Sequence, residues 1–472
     1  MQSPRTVFLV LRSDMSGHDS GTALSILKGF VLPSLAVSGI FWLLLLVLRR
    51  KGVRIRRNAL LAASGAYLLG SFCAAAVMLK AWEYPAVARE FFRAPQESPF
   101  FQENYIPPEA AGVAAPERRR NLVMIFMESM ESSYVPVSDG GVFEETPIPN
   151  LAALAASAVN FSGTEQTGGG VNLDGTSWTA AGLLSKLSGL PYFNPLVMDG
   201  GRTLCLPQAK TLNDFLAEQG YAQVFAMGSE KQFENRDAIL ESHGVTVHDI
   251  VWYKENGFLP SDYQVFWGFE DAKLFKMARM ELESLAAAPE PFFFGMLTVD
   301  THFPYGFRCG LCPDDFDAPM MNVLKCADRQ IADFMAWMEG QPWFSDTTVV
   351  ILGDHCYLDA PKNNFIREES PLSKDAVAER RRFLDIVVNP AQEVGRSAQK
   401  GRTFSSLDIM PTVLECMGNK IAAGGVALGR SLLGGKPTLV EEYGAEAVVA
   451  ETMRSTLQYE ALKRLSGPDS QP

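Results

Sequence analysis

The chain has 472 residues, with 54 acidic against 42 basic side chains and a formal charge of -12. That surplus of negative charge excludes nucleic acid as a partner held by bulk electrostatics. Seven cysteines are too few for a disulfide scaffold, and their odd number leaves at least one thiol unbridged.

At roughly 100–200 residues per domain, two or three structural units are expected. Residues 1–28 form an N-terminal segment. Two uncharged stretches follow, Gly29 to Leu48 and Asn58 to Leu79. Each has about the 20 residues needed to cross a hydrocarbon core of roughly 30 Å. Between them lie Arg49, Arg50, Lys51, Arg54, Arg56 and Arg57, a basic loop of the kind retained in the cytoplasm. Residues 29–80 are therefore expected to be a transmembrane hairpin that places the rest of the chain on the periplasmic or extracellular side. Trp82 and Tyr84 suit the headgroup level. Residues 81–118 read as a juxtamembrane linker, broken by prolines such as Pro85, Pro95, Pro107 and Pro108.

From 119 to 436 the pattern is that of an α/β domain. Apolar runs at 122–127, 292–299, 348–352 and 383–388 read as buried, mostly parallel strands. Helical periodicity fills 148–159, 210–219, 271–288 and 323–340. Strands alternating with helices predict a mostly parallel sheet flanked by helices. The stretch 437–472 is expected to be a loosely packed C-terminal tail. Cys309, Cys312 and Cys326 stand close in sequence and Cys205 could join them. In an oxidising compartment one or two bridges among them are expected, in preference to a metal knuckle.

Open α/β sheets bind ligands beyond the carboxyl ends of their strands. Glu128 ends the first run, Asp300-Thr301-His302 the second, and Asp354-His355 the third. Two carboxylates with an imidazole suit a divalent cation such as Mn²⁺, Mg²⁺ or Zn²⁺. The segment from Thr167 to Thr179 is glycine-rich and then hydroxyl-rich, and it precedes a helix-like run, Ala180 to Leu187. A hydroxyl at that junction either caps the helix or serves as a metal-activated nucleophile.

Five segments carry a resemblance to a known family: NLVMIFMES (121–129), GTSWTAAGLLSKLSGLP (175–191), FENRD (233–237), TVDTHFPYG (298–306) and LGDHC (352–356). In their order and spacing the chain resembles the alkaline-phosphatase/sulfatase superfamily. Within it, the chain is similar to the phosphoglycerol transferases and lipoteichoic acid synthases.

The resemblance implies a sulfatase-like fold and a membrane-bound enzyme of the bacterial inner membrane. Such an enzyme would move sn-glycerol-1-phosphate from phosphatidylglycerol to a glycan, such as a periplasmic glucan, through a phospho-threonine intermediate. It implies Thr176 as nucleophile and metal ligand, Glu128, Asp354 and His355 as the other ligands, and Arg236 and His302 at the head group. Mn²⁺ is the expected ion, with Mg²⁺ and Zn²⁺ as alternatives. The sequence departs from the lipoteichoic acid synthases at Glu234, where they carry tryptophan.

A phosphoethanolamine transferase or a metal-dependent phosphodiester or sulfate ester hydrolase of the same superfamily is the alternative, although five histidines are few for the zinc-rich sites of the first. A sulfatase nucleophile motif fails at Ala209, which stands where Cys-x-Pro-x-Arg requires arginine. A non-catalytic lipid or glycan sensor is disfavoured because the whole ligand set is present.

Overall fold

The computed structural model describes residues 99–464, except 200, 359–363 and 455, together with 47, 50 and 51. The expected membrane hairpin falls almost wholly outside the described residues. Among those residues no helix is long and apolar enough to cross a membrane.

Seven strands form the main sheet: β1 (Asn121–Met127), β2 (Gly169–Gly170), β3 (Ala222–Met227), β4 (Thr246–His248), β5 (Phe292–Leu297), β6 (Thr347–Gly353) and β7 (Phe383–Val388). Their order is β2-β7-β6-β1-β5-β3-β4. The run from β6 to β4 is parallel, while β7 lies antiparallel between β6 and β2. All four expected strands form. The direction of β7 was not legible, because a buried strand is apolar on both faces whichever way it runs.

Every residue of β5 and β6 is buried, and β1 is exposed only in part at Asn121. Helices cover both faces, as sheets with two apolar faces require. The principal ones are α1 (Pro149–Ser157), α2 (Thr179–Ser188), α3 (Asp271–Ala286), α4 (Pro319–Glu339) and α5 (Ile409–Cys416).

Two peripheral stretches are more ordered than the sequence suggested. Within the expected linker, Pro99–Asn104 is helical with Phe100 and Phe101 buried, and Val113–Ala114 pairs antiparallel with Lys420–Ile421. The stretch after Pro437 is not a loose tail. It carries three helices, Leu439–Tyr443, Ala445–Arg454 and Thr456–Leu462. Thr438 and Glu441 cap the first of them reciprocally. Buried Tyr459 donates its hydroxyl to the Pro191 carbonyl at 2.5 Å and accepts the Phe193 amide at 3.2 Å. These anchors depend on partners far away in sequence, which local composition does not reveal.

Candidate active site

The register of the parallel strands builds the site. Met127 stands opposite Gly353, and Phe126 opposite Leu297. The residues that follow, Glu128, Asp354 and Thr298, therefore emerge side by side at the carboxyl ends of three neighbouring strands. Gly353 is required there, since a Cβ would meet the Met130 carbonyl oxygen at 1.9 Å.

Glu128, Asp354 and His355 are all buried, and ligand atoms from the three lie within 4.8 Å of one another. Ser129 ties the carboxylates together. Its amide donates to Asp354 Oδ1 at 2.7 Å and its hydroxyl to Glu128 Oε1 at 2.6 Å. To do so it adopts a left-handed φ of 52°, a strained conformation of the kind that collects at functional sites. Thr298 and Thr301 hold the Glu128 backbone: the Glu128 amide donates to Thr298 Oγ1 at 3.0 Å, and the Thr301 hydroxyl donates to the Glu128 carbonyl at 2.5 Å.

The donor set fits a cation. Asp354 Oδ2 is buried without a hydrogen-bond partner, a costly condition that a metal ligand resolves. His355 Nδ1 must donate to the Cys356 carbonyl at 2.8 Å. Nε2 is left with its lone pair, 3.5 Å from both Glu128 Oε1 and Asp354 Oδ2. Burial and the charge of Glu128 push Asp354 up to about 7. Burial alone would lower the His355 imidazole, but Asp354 and Glu128 outweigh it and raise its pKa. Both shifts describe a pocket carrying more negative charge than it can hold unaided.

The hydroxyl that joins this cluster is Thr179. Its Oγ1 lies 3.2 Å from Glu128 Oε2 and 3.4 Å from His355 Nε2. Thr179 is the first residue of α2, following an extended Trp178. Thr176, the hydroxyl expected from the resemblance, makes its contacts elsewhere. Fully buried, it donates to the Leu173 carbonyl at 3.0 Å and accepts the Leu173 amide at 3.1 Å, locking the turn that precedes the helix. The two threonines share one segment, and only the turn decides which of them faces the carboxylates.

Helix α2 comes close because Gly182 has no side chain, for a Cβ there would meet the Asp354 carbonyl oxygen at 2.1 Å. From the same helix the fully buried Lys186 donates to that carbonyl at 2.7 Å and to Ser406 Oγ at 3.0 Å. Burial lowers the Lys186 ammonium to about 7, against the pull of Asp354. Neither Lys186 nor Ser406 stood out in the sequence, although a lysine on the apolar face of a helix is a visible anomaly.

Glu234 also belongs here. Glu234 and Asn235 adopt consecutive left-handed φ values of 56° and 58°. The buried Glu234 carboxylate thereby accepts the Ala180 amide at 3.2 Å, at the start of α2. That is where a helix favours an anion. Burial raises its pKa, with Arg236 opposing.

Arg236 is buried and electrostatically coupled to Glu234 and Glu128. Its guanidinium donates to the Phe233 and Glu230 carbonyls and to Ser229 Oγ, at 2.8–3.0 Å, so it braces its own loop. His302 donates Nδ1–H to the Phe303 carbonyl at 2.7 Å, leaving Nε2 as an acceptor, and packs against Trp267. Burial and the neighbouring His355 lower its pKa and keep it neutral.

Among the described residues the six cysteines are free, so the expected bridges are not formed. Cys205 is buried apart from the others, where its carbonyl faces His243 Nε2 at 3.0 Å.

A family model described as Sulfatase matches residues 120–419. Phosphoglycerol transferase I of Xanthomonas axonopodis pv. citri is 29% identical over 315 residues, covering 64% of this chain and 41% of that protein. The chain thus spans about two fifths of the length of such curated relatives. The crystal structure of a lipoteichoic acid synthase from Listeria monocytogenes superposes with a TM-score of 0.53 at 16% identity, covering 76% of this chain and 98% of that one. An integral membrane lipooligosaccharide phosphoethanolamine transferase from Neisseria meningitidis gives 0.51 at 16% identity, covering 89% and 80%. At these identities the structural likenesses establish the fold.

Proposed function

The chain belongs to the sulfatase family, and from that premise we propose that it is a metal-dependent phosphotransferase working through a phospho-threonine intermediate on Thr179. The observation that carries this reading is the contact of Thr179 Oγ1 with Glu128 and His355, beside the unpartnered oxygen of Asp354. Thr176 is the poorer nucleophile, because its hydroxyl is engaged with Leu173.

Glu128, Thr179, Asp354 and His355 are the residues that would hold the cation, Mn²⁺ first, with Mg²⁺ and Zn²⁺ as alternatives. When bound, it supplies positive charge to the phosphoryl oxygens and favours the alkoxide of a coordinated hydroxyl. The proposed donor is phosphatidylglycerol, in keeping with the phosphoglycerol transferase relatives. Thr179 Oγ attacks phosphorus and forms a new ester. The bond to diacylglycerol breaks, and its leaving oxygen takes up the proton that the Thr179 hydroxyl gives up. A hydroxyl of a glycan acceptor, such as a periplasmic glucan, then attacks the same phosphorus and releases Thr179. Neutral His302 presents Nε2 as an acceptor for the proton of that hydroxyl. Arg236 acts through its charge, its donors being committed to the loop that carries Glu234. Lys186 holds Asp354 in place.

We further propose that residues 29–80 anchor the enzyme in the bacterial inner membrane, with the catalytic domain outside. Two uncharged stretches around a basic loop support that reading.

The test incubates the whole chain in detergent with Mn²⁺ and head-group-labelled phosphatidylglycerol, and maps the adduct by peptide fragmentation. A glycerophosphate on Thr179, lost in Thr179→Ala, supports the proposal. An adduct formed only from phosphatidylethanolamine assigns the chain to the phosphoethanolamine transferases, and phosphate-ester cleavage without any adduct favours a hydrolase. Labelling of Thr176 would reverse the assignment of the two threonines.

A further inference from the structure

Three cysteines converge where the loop after β5 meets α4. Cys309 and Cys312 lie on the loop, and Cys326 sits on the buried face of α4. Cys309 Sγ is 3.8 Å from Cys312 Sγ and 3.7 Å from Cys326 Sγ, and all three sulfurs lie within 4.8 Å of one another.

These separations discriminate between two chemistries. A disulfide needs its sulfurs about 2.05 Å apart. Thiolates about 2.3 Å from a tetrahedral zinc ion stand about 3.8 Å from each other, the edge of the tetrahedron. The two separations in the structure fit the second geometry. Three sulfurs around one point are also one more than a bridge can use.

The backbone is arranged to suit. The Cys312 amide donates to the Cys309 carbonyl at 3.1 Å, closing the Cys-x-x-Cys turn. Arg329 of α4 donates to the Leu311 carbonyl and holds the turn against the helix that carries Cys326.

We propose that Cys309, Cys312 and Cys326 bind zinc as three thiolates, clasping the loop that carries Thr301 and His302 to α4. Each thiol releases its proton to water as its sulfur–zinc bond forms, and no electrons are transferred. Three protein ligands leave one position of the tetrahedron for water.

The test is zinc-edge X-ray absorption on the full chain carrying Asp354→Asn, which disables the catalytic cluster so that bound zinc reports on the thiols. One zinc per chain with sulfur neighbours at about 2.3 Å is expected. It should be lost in Cys309→Ser and Cys326→Ser and kept in Cys416→Ser. Cys312→His guards against misfolding, because it retains a ligand and should keep zinc with one sulfur exchanged for nitrogen. Zinc bound without sulfur, or a peptide map joining two of the three cysteines, would overturn the proposal. Neither result touches the Thr179 assignment, which is read from a covalent adduct.

Discussion

Glu128 and Asp354–His355 come from two strands far apart in sequence, are brought together by sheet register, and are buried. Cys309, Cys312 and Cys326 lie at most 17 positions apart, on a loop and the helix after it, and two of the three are only partly buried. The first cluster offers oxygen and imidazole donors on rigid strand ends, with an oxygen left unpartnered. The second offers soft donors that close on one another. The contrast teaches that unspent ligand capacity on a rigid frame marks a place for chemistry, whereas a compact set of like donors across a loop marks a fastening.

Substitutions can break that division of labour. The largest effect is expected at Thr179→Ala, which should lower turnover on the order of 10⁴-fold while leaving the thermal midpoint nearly unchanged. Labelled-lipid turnover beside a melting curve checks both halves. Lys186→Met removes the hold on Asp354 and should weaken Mn²⁺ affinity by about 10–100-fold, read by titrating the metal against activity. A collapse of the fold instead would make Lys186 structural rather than positioning.

Cys326→Ser should show the opposite profile, a thermal midpoint lower by several degrees with turnover kept within tenfold. A loss of turnover equal to that of Thr179→Ala would show that the two clusters are not separable. Thr176→Ala orphans the Leu173 amide and should cost about 1–3 kcal/mol in denaturant unfolding, with turnover retained.

A pH dependence is expected as well. Burial, with the charge of Asp271 added, pushes Asp300 up to about 9 from 3.8. The folded chain keeps a proton there that the unfolded chain has lost. Its contribution to stability is therefore full below pH about 4 and is lost as pH climbs towards 9. The melting temperature should fall across that window, and Asp300→Asn should flatten the fall.

Much of the frame was written in the sequence. Runs such as Leu122 to Met127 and Thr348 to Leu352 are apolar without interruption because both faces of a central parallel strand are covered. Each is followed, directly or after one glycine, by a polar residue of the candidate site. Strands β3 and β4 went unread because Ala222–Met227 alternates in burial at its start and Thr246–His248 is only three residues long, too little for a period to declare itself.

The sequence by itself determined the α/β class, the family resemblance, and Glu128, Asp354 and His355 as ligand candidates, since residue type and position after an apolar run are local properties. Only the tertiary structure decided that Thr179 rather than Thr176 meets them, that Lys186 and Glu234 belong to the site, and that three cysteines share one point. Each of these depends on side-chain direction and on partners that lie from a single turn to about 220 positions away, and the spacing of letters along a chain does not encode direction.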